Sequence, residues 1–270
     1  MFEQVYRIGD MQEVATNEAV NEAEAALHTR FPHGYREYVT TLGDGDYNTR
    51  VHVLPPSEVL AEYRPQQETW ADNPGLYDEY FTVIPHNRFL HMILFLITDD
   101  GVNVVFHPDA PDDLYLLEEQ AAYKIGGSLG DALDWIFGTG IATPKVQRSI
   151  LTTAGTFVAH DFRFFEPSTG RATTGLAGPN LDAYHRAKDL LIGLALADRE
   201  GMTCVYHEEE EIEGGRYEWL QLLVREYAGN IECSAILPRG STKIGITYDE
   251  RHETTSIEHL RSSLQRVGYR

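Results

Sequence analysis

The stretch Met92-Ile93-Leu94-Phe95-Leu96-Ile97-Thr98-Asp99-Asp100-Gly101-Val102-Asn103-Val104-Val105-Phe106 decides the fold class. Its first half is a continuous apolar run, the pattern of a central strand covered on both faces. Asp100-Gly101 is a two-residue hairpin signal, because glycine takes the positive φ that such turns require. The chain then returns through Val102–Phe106, so the two strands lie antiparallel. Short strands are also expected at Val51–Leu54, Tyr115–Leu117 and Tyr123–Ile125. Helices flank them. Ala19, Ala23, Ala26 and Leu27 share one face of a helix from about Glu13 to His28. Pro32 opens a second, in which Tyr35, Tyr38, Val39 and Leu42 follow helical spacing and Gly43 ends the run. A third starts at Ser128, with Asp131 at its N3 position, and buries Leu129, Leu133, Ile136 and Phe137.

The second half repeats the class with a different order. Phe157–Phe165 reads as a strand and Leu181–Leu196 as a helix, with Tyr184, Ala187, Leu191 and Leu194 on one face. Thr203–Ile212 and Arg216–Arg225 flank a two-glycine turn at Gly214-Gly215. Ala228–Asn230 and Pro238–Ser241 supply two more turns, giving a four-stranded antiparallel meander. Ile257, Leu260, Leu264 and Val267 stripe a last helix. Both halves are therefore α+β, helices packed on antiparallel sheet.

Charge divides the 270 residues in the same place. The chain carries 22 Lys plus Arg against 42 Asp plus Glu, a net −20. Residues 1–140 hold 24 acidic and 7 basic side chains, a balance of −17, and residues 141–270 hold 18 and 15, a balance of −3. Gly138–Pro144 is turn-rich and lies at the changeover. The expected domains are 1–140, a connecting segment 141–156, and 157–270. Such acidity excludes a duplex-phosphate binder, which needs clustered Lys and Arg, and an anionic membrane surface. A basic protein is the electrostatic complement. The start MFEQVYRIGD has no basic segment followed by an apolar one, and the longest apolar runs, Met92–Ile97 and Leu190–Ala197, fall short of a membrane span. Cytoplasm is the expected location. Two cysteines, Cys204 and Cys233, make neither a disulfide framework nor a four-cysteine zinc site.

Catalytic signatures are absent: no GxGxxG, Walker-type, HExxH or GxSxG motif occurs. Gly126-Gly127-Ser128-Leu129-Gly130 offers helix-terminal amides to an anion, but has no phosphate-loop Lys; ordinary helix initiation accounts for it. His52, His86, His91 and His107 lack the i, i+2 or i, i+4 spacing of metal ligands. Cys204 and His207 are three apart, on opposite faces of a strand, so a thiol–imidazole pair is not expected. No catalytic residue, cofactor or metal site is therefore assigned. The acidic run His207–Glu213 reads as a solvated hairpin arm or as a contact for a basic partner. Asp44, Asp46, Asp99, Asp100, Asp112 and Asp113 occupy turns, where Asp is favoured locally. Their concentration in the −17 half makes them the candidate partner-binding residues.

One ordered series of motifs adds to this. It begins Leu27, Phe31-Pro32-His33-Gly34-Tyr35-Arg36-Glu37-Tyr38-Val39, then Leu42-Gly43-Asp44-Gly45. It continues with Val51-His52-Val53-Leu54, Pro56-Ser57-Glu58-Val59, Val83-Ile84-Pro85, the Asp100-Gly101 hairpin, and Ser128-Leu129 through Leu133-Asp134-Trp135-Ile136. From about Ala19 to Phe137 this order resembles the SUKH superfamily, also called Smi/Knr-type domains, with Phe31 standing where Leu is commoner. The resemblance implies a non-enzymatic binding module. Bacterial members are mostly immunity proteins that neutralise toxins, often nucleases, and eukaryotic members include cytosolic regulators of cell-wall synthesis. The expectation is an immunity-type protein that binds a basic toxin; the alternatives are a regulatory scaffold of the same fold and an enzyme whose site lies in the second half.

Overall fold

The computed structural model describes residues 2, 5–8, 13–73, 75, 77–118, 121–139, 146–159, 163–168, 171–209, 215–225, 229–237, 241–249 and 255–270. Among them are seven α-helices and two mostly antiparallel sheets, an α+β protein. The chain forms two compact units. One comprises Met1–Val5, Gln12–Thr143 and Phe165–Thr169, the other Tyr6–Met11, Pro144–Phe164 and Gly170–Arg270. Elements are numbered along the chain; β1 (Tyr6–Arg7) belongs to the second unit.

In the first unit, Thr16 caps α1 (Asn17–Leu27) by accepting the Ala19 N–H at 3.1 Å. α2 (Tyr35–Thr41) follows Gly34 and is closed by Gly43, whose φ of +86° and whose approach to Glu13 both demand glycine: a Cβ there would lie 2.7 Å from the Glu13 carbonyl oxygen. Next come β2 (Gly45–Tyr47), β3 (Val51–Val53), α3 (Pro56–Asp72), a 3₁₀ turn at Asp78–Thr82, α4 (His86–Phe89), β4 (Ile93–Thr98), β5 (Asn103–His107), β6 (Ala110–Glu118), β7 (Ala121–Gly126) and α5 (Leu129–Thr139). The β4–β5 hairpin turns at Gly101, whose φ is +84°.

Strand alternation sends side chains to two cores. Val104, Phe106, Leu114 and Leu116 join α1, α2 and α5 in one; Val105, Tyr115 and Leu117 join Trp70, Tyr80 and Phe89 in the other. This sheet is thus covered on both faces, which is why Met92–Ile97 is apolar throughout. β2 was not expected, because Gly43–Asp46 reads as turn. It pairs outward with residues 165–167, Phe165 opposite Tyr47 and Pro167 opposite Gly45. The late segment 165–169 therefore belongs to the first unit, although the sequence placed it in the second half.

In the second unit, β8 (Val146–Leu151) occupies what was expected to be connecting segment. β9 (Phe157–Ala159) and β10 (Phe164–Pro167) replace the single strand expected at 157–165, and β10 supplies residues 165–167 to the first unit. β11 (Arg171–Gly178) precedes α6 (Leu181–Ala197), whose first amides are capped by Asn180. β12 (Met202–Glu209), β13 (Arg216–Val224), β14 (Gly229–Leu237) and β15 (Ser241–Asp249) form an antiparallel meander, followed by α7 (Thr255–Arg266). The complete order is β11-β15-β14-β13-β12-β8-β9. Side chains of α6 and α7 pack with Cys204, Leu220, Ile231 and Ile244 on one face of this sheet. Ile8, Phe164, Val205 and Leu223 cluster on the other. The boundary residues 140–145, Gly214, residues 226–228 and residues 238–240 lie outside the described residues.

Candidate functional site

The six aspartates fall into three groups with different surroundings. The first is built around His52. Val51 and Val53 point into the core, so period-2 alternation sends His52 to the other face of β3, opposite Asp46 of β2. Its Nδ1 lies 3.2 Å from Asp46 Oδ1, and its Nε2 lies 3.6 Å from both Asp44 Oδ1 and Glu58 Oε2. The imidazole is 20% exposed. Its hydrogen bond to Asp46, reinforced by the fields of Asp46, Asp44 and Glu58, raises its pKa above the ordinary histidine value against the opposing effect of burial. Asp44 is further engaged: its Oδ1 accepts the Ser168 hydroxyl at 3.0 Å. Asp44 and Asp46 are thus brought together, but as the shell of a histidine. The sequence reading selected neither His52 nor Glu58. The available signal was His52 flanked by two core valines, with Glu58 in the first turn of the next helix.

The second group is the β4–β5 turn. Asp99 and Asp100 are exposed at its tip. Thr98 donates its hydroxyl to Asp100, and the Asp99 N–H donates to the Arg50 carbonyl, which brings the β2–β3 turn alongside. Desolvation raises the Asp99 carboxyl, opposed by the Arg50 cation and helped by Asp100. Glu118 of β6 belongs here too, and was missed: burial, then the Asp100 charge, raises its carboxyl. No motif marks Glu118; only the register of β6 on β5, Leu117 opposite Asn103, brings it to this end.

The third group stands apart. β5 runs away from the turn and β6 starts at its far end, so Asp112 and Asp113 lie about 15 Å along the strand from Asp99 and Asp100. Each is already engaged. Asp112 takes two parallel bonds from the Arg30 guanidinium and one from the His33 N–H, which hold its carboxyl below the usual range. Asp113 meets Lys124 at 2.7 Å. The six candidates therefore fall into three separate groups rather than one patch.

Other sequence features resolve into structure. Asp131 Oδ2 accepts the Gly127 N–H, and Ser128 Oγ accepts the Asp131 N–H, so a carboxylate of the protein already fills the anion position at Gly126–Gly130. No group of three or more His, Cys, Asp or Glu that could hold a metal ion occurs among the described residues. Cys204 and His207 do face apart: Cys204 is in the helix-side core, whereas His207 stacks on Trp219 at 4.4 Å and bonds Gln221 at 2.8 Å. Burial pushes both the Cys204 and the Cys233 thiol up to about 12. Of the run His207–Glu213, residues 210–213 lie outside the described residues.

Two polar features of the second unit were not legible beforehand. Glu218, its side chain 5% exposed, accepts the Tyr206 hydroxyl and lies 3.7 Å from both Lys188 and Arg216, while the Lys188 ammonium sits 4.1 Å from the Tyr206 ring centre. These contacts tie α6 to β12 and β13 with a paired charge and a cation–π contact. A cavity of about 160 Å³ lies between the β8–β9 turn, the end of α6 and the start of β12; Leu151, Thr152, Leu196, Arg199, Met202 and Cys204 are among its lining residues. No helix of the described residues is long and apolar enough to cross a membrane.

Comparison of the chain with protein-family models, with curated proteins and with solved structures returns no match.

Proposed function

We propose that this chain is a non-enzymatic protein-binding module whose first unit presents acidic surface to a basic protein. The observation that carries the reading is the charge partition: 24 acidic against 7 basic side chains in residues 1–140. Four of the seven cations there are, moreover, engaged internally. Arg30 pairs with Asp112, Arg36 with Glu24 and Lys124 with Asp113, and Arg50 acts on Asp99. What remains for a partner is net negative surface, led by Asp99 and Asp100. Such a surface steers a basic partner and speeds association. The SUKH-type resemblance supplies the biological setting, a cytoplasmic immunity protein that neutralises a basic toxin such as a nuclease. By this reading the gene beside it encodes a secreted protein with a toxic C-terminal domain.

The test is binding of that toxin domain, measured by stopped-flow and calorimetry at low and high salt, beside protection of growth on co-expression. Asp99→Asn with Asp100→Asn slows association and flattens its salt dependence. Neutralising each pair whole, Asp112→Asn with Arg30→Gln and Asp113→Asn with Lys124→Gln, leaves association nearly unchanged, because each pair carries no net charge. Absence of both binding and protection would overturn the proposal. Salt-independent association would remove the acidic surface from it.

A further inference from the structure

The chain carries a titratable clasp that nothing in the binding role requires. His52 lies at the meeting point of four segments: β3, which bears it; β2, with Asp46; the turn before β2, with Asp44; and the first turn of α3, with Glu58. Asp44 extends the contact to a fifth, since Ser168 donates to it through both its hydroxyl and its backbone N–H, at 3.0 Å to Oδ1 and 3.2 Å to the carbonyl oxygen. The charged groups that bear on the ring are these three carboxylates. Across the sheet its partner on β4 is Ile97, which is apolar.

We propose that His52 is a proton-operated clasp: as imidazolium it holds the β2–β3 hairpin, the start of α3 and the 165–168 segment together, and on losing its proton it loosens them. The chemistry is one proton leaving to solvent. With the cation present, three carboxylates surround one positive charge and the local balance is −2. Without it the same carboxylates lie around a neutral ring, the balance is −3, and only one ring nitrogen still carries a hydrogen to donate. Asp46 lies at hydrogen-bond distance, whereas Asp44 and Glu58, at 3.6 Å, are drawn to the ring by charge alone, so deprotonation removes that attraction to the ring entirely. The pair is partly buried, where screening is weaker than at the surface.

The direction of the effect follows from linkage. A histidine whose pKa is raised on folding stabilises the folded state fully below its unfolded value of about 6.5, and that contribution is lost as pH rises through the folded value. Falling pH therefore closes the clasp and rising pH opens it, opposite to ordinary acid denaturation. The inference does not depend on what the protein binds.

The experiment is a titration of the His52 ring protons by NMR on the full chain, with urea unfolding at pH values on both sides of the midpoint. His52 titrates above an unstructured histidine. The folding equilibrium constant of the wild type falls, relative to His52→Asn, tenfold for every pH unit by which the measured midpoint exceeds the unfolded one. Amide protection factors at Tyr47 and Val51, corrected for the intrinsic rise of exchange with pH, fall over the same range. Glu58→Gln, an isosteric change at an exposed carboxylate, lowers the midpoint while leaving the fold intact, and keeps the test decisive if His52→Asn does not fold. A His52 midpoint at or below the unstructured value would overturn the clasp, as would a Glu58→Gln midpoint equal to the wild type.

Discussion

Gly45→Ala probes the least expected join in the first unit, the pairing of β2 with residues 165–167. A Cβ on Gly45 would lie 2.3 Å from the Glu166 carbonyl oxygen, 2.5 Å from the Phe165 ring edge and 2.9 Å from Pro167 Cα. Ordinary contacts of these kinds need about 3.4 Å or more, so the two strands must part by roughly 1 Å. A hydrogen bond lengthened that far is lost. Overpacking of this size costs about 1–3 kcal/mol where the neighbours can shift. Here two of the three are backbone atoms, and the third belongs to Phe165, fully buried beside Tyr38. If the segment detaches instead, burial of the Phe165 ring is forfeited, worth about 2–3 kcal/mol. Either route predicts destabilisation of about 2–3 kcal/mol. Gly245→Ala is the control, since a Cβ there meets nothing within 4 Å and the change stays within about 0.5 kcal/mol. Because two units need not unfold together, the readout is peptide-level hydrogen exchange through a urea series rather than a single global signal. Exchange quickens at 45–47 and 165–168 at lower urea than in the wild type. Unchanged exchange and an unchanged midpoint would refute the packing argument.

Tyr35→Phe removes the hydroxyl that donates to the Leu54 carbonyl at 2.7 Å inside the core. It leaves a buried acceptor unsatisfied and costs about 1–3 kcal/mol in urea unfolding; a loss below about 0.5 kcal/mol would show that this bond is not needed. Cys204 and Cys233, with thiols pushed up to about 12, hold on the order of one thiolate in 10⁴ or fewer at neutral pH. Iodoacetamide should leave both unlabelled in the folded chain and label both in denaturant, as followed by intact mass; labelling of either in the native state would contradict their burial.

What the sequence made legible was whatever local physics determines. The β4–β5 hairpin could be read because an apolar run, an Asp-Gly turn and a second apolar run are contiguous, and Gly101 does take a positive φ. The Ser128 cap and the Gly43 stop followed from single residues with specific backbone work. The misses were long-range. β2 is three residues long and looks like a turn until residues 165–167, more than a hundred positions away, pair with it. β8 and β11 complete the second sheet through partners at 205–209 and 242–249, and neither run has the periodicity to announce them. α3 contains Pro65 and buries only Pro56, Val59 and Trp70, so it lacks a continuous stripe. The candidate site divided in the same way. Turn chemistry located the aspartates, but which of them were already balanced depended on Arg30 and Lys124, 82 and 11 positions distant from Asp112 and Asp113.

That division changes what a count of charges can mean. A carboxylate contributes to steering only through the field left after its neighbours have answered it, and the three groups have been answered to different degrees. The Arg30–Asp112 and Lys124–Asp113 pairs each carry no net charge and contribute little at a distance beyond the roughly 8 Å screening length. Asp44, Asp46 and Glu58 share one imidazole whose charge depends on pH, so their contribution strengthens as the proton leaves. Asp99 and Asp100 have Arg50 acting on one of the two and Glu118 adding to the other side of the balance. Steering and cohesion therefore oppose each other along the β2–β3–β4 end. Raising the pH makes this surface more attractive to a basic partner while loosening the segments that shape it. Association rate and complex lifetime should consequently respond to pH with opposite signs, the rate rising and the lifetime falling as His52 deprotonates, whereas His52→Asn should flatten both.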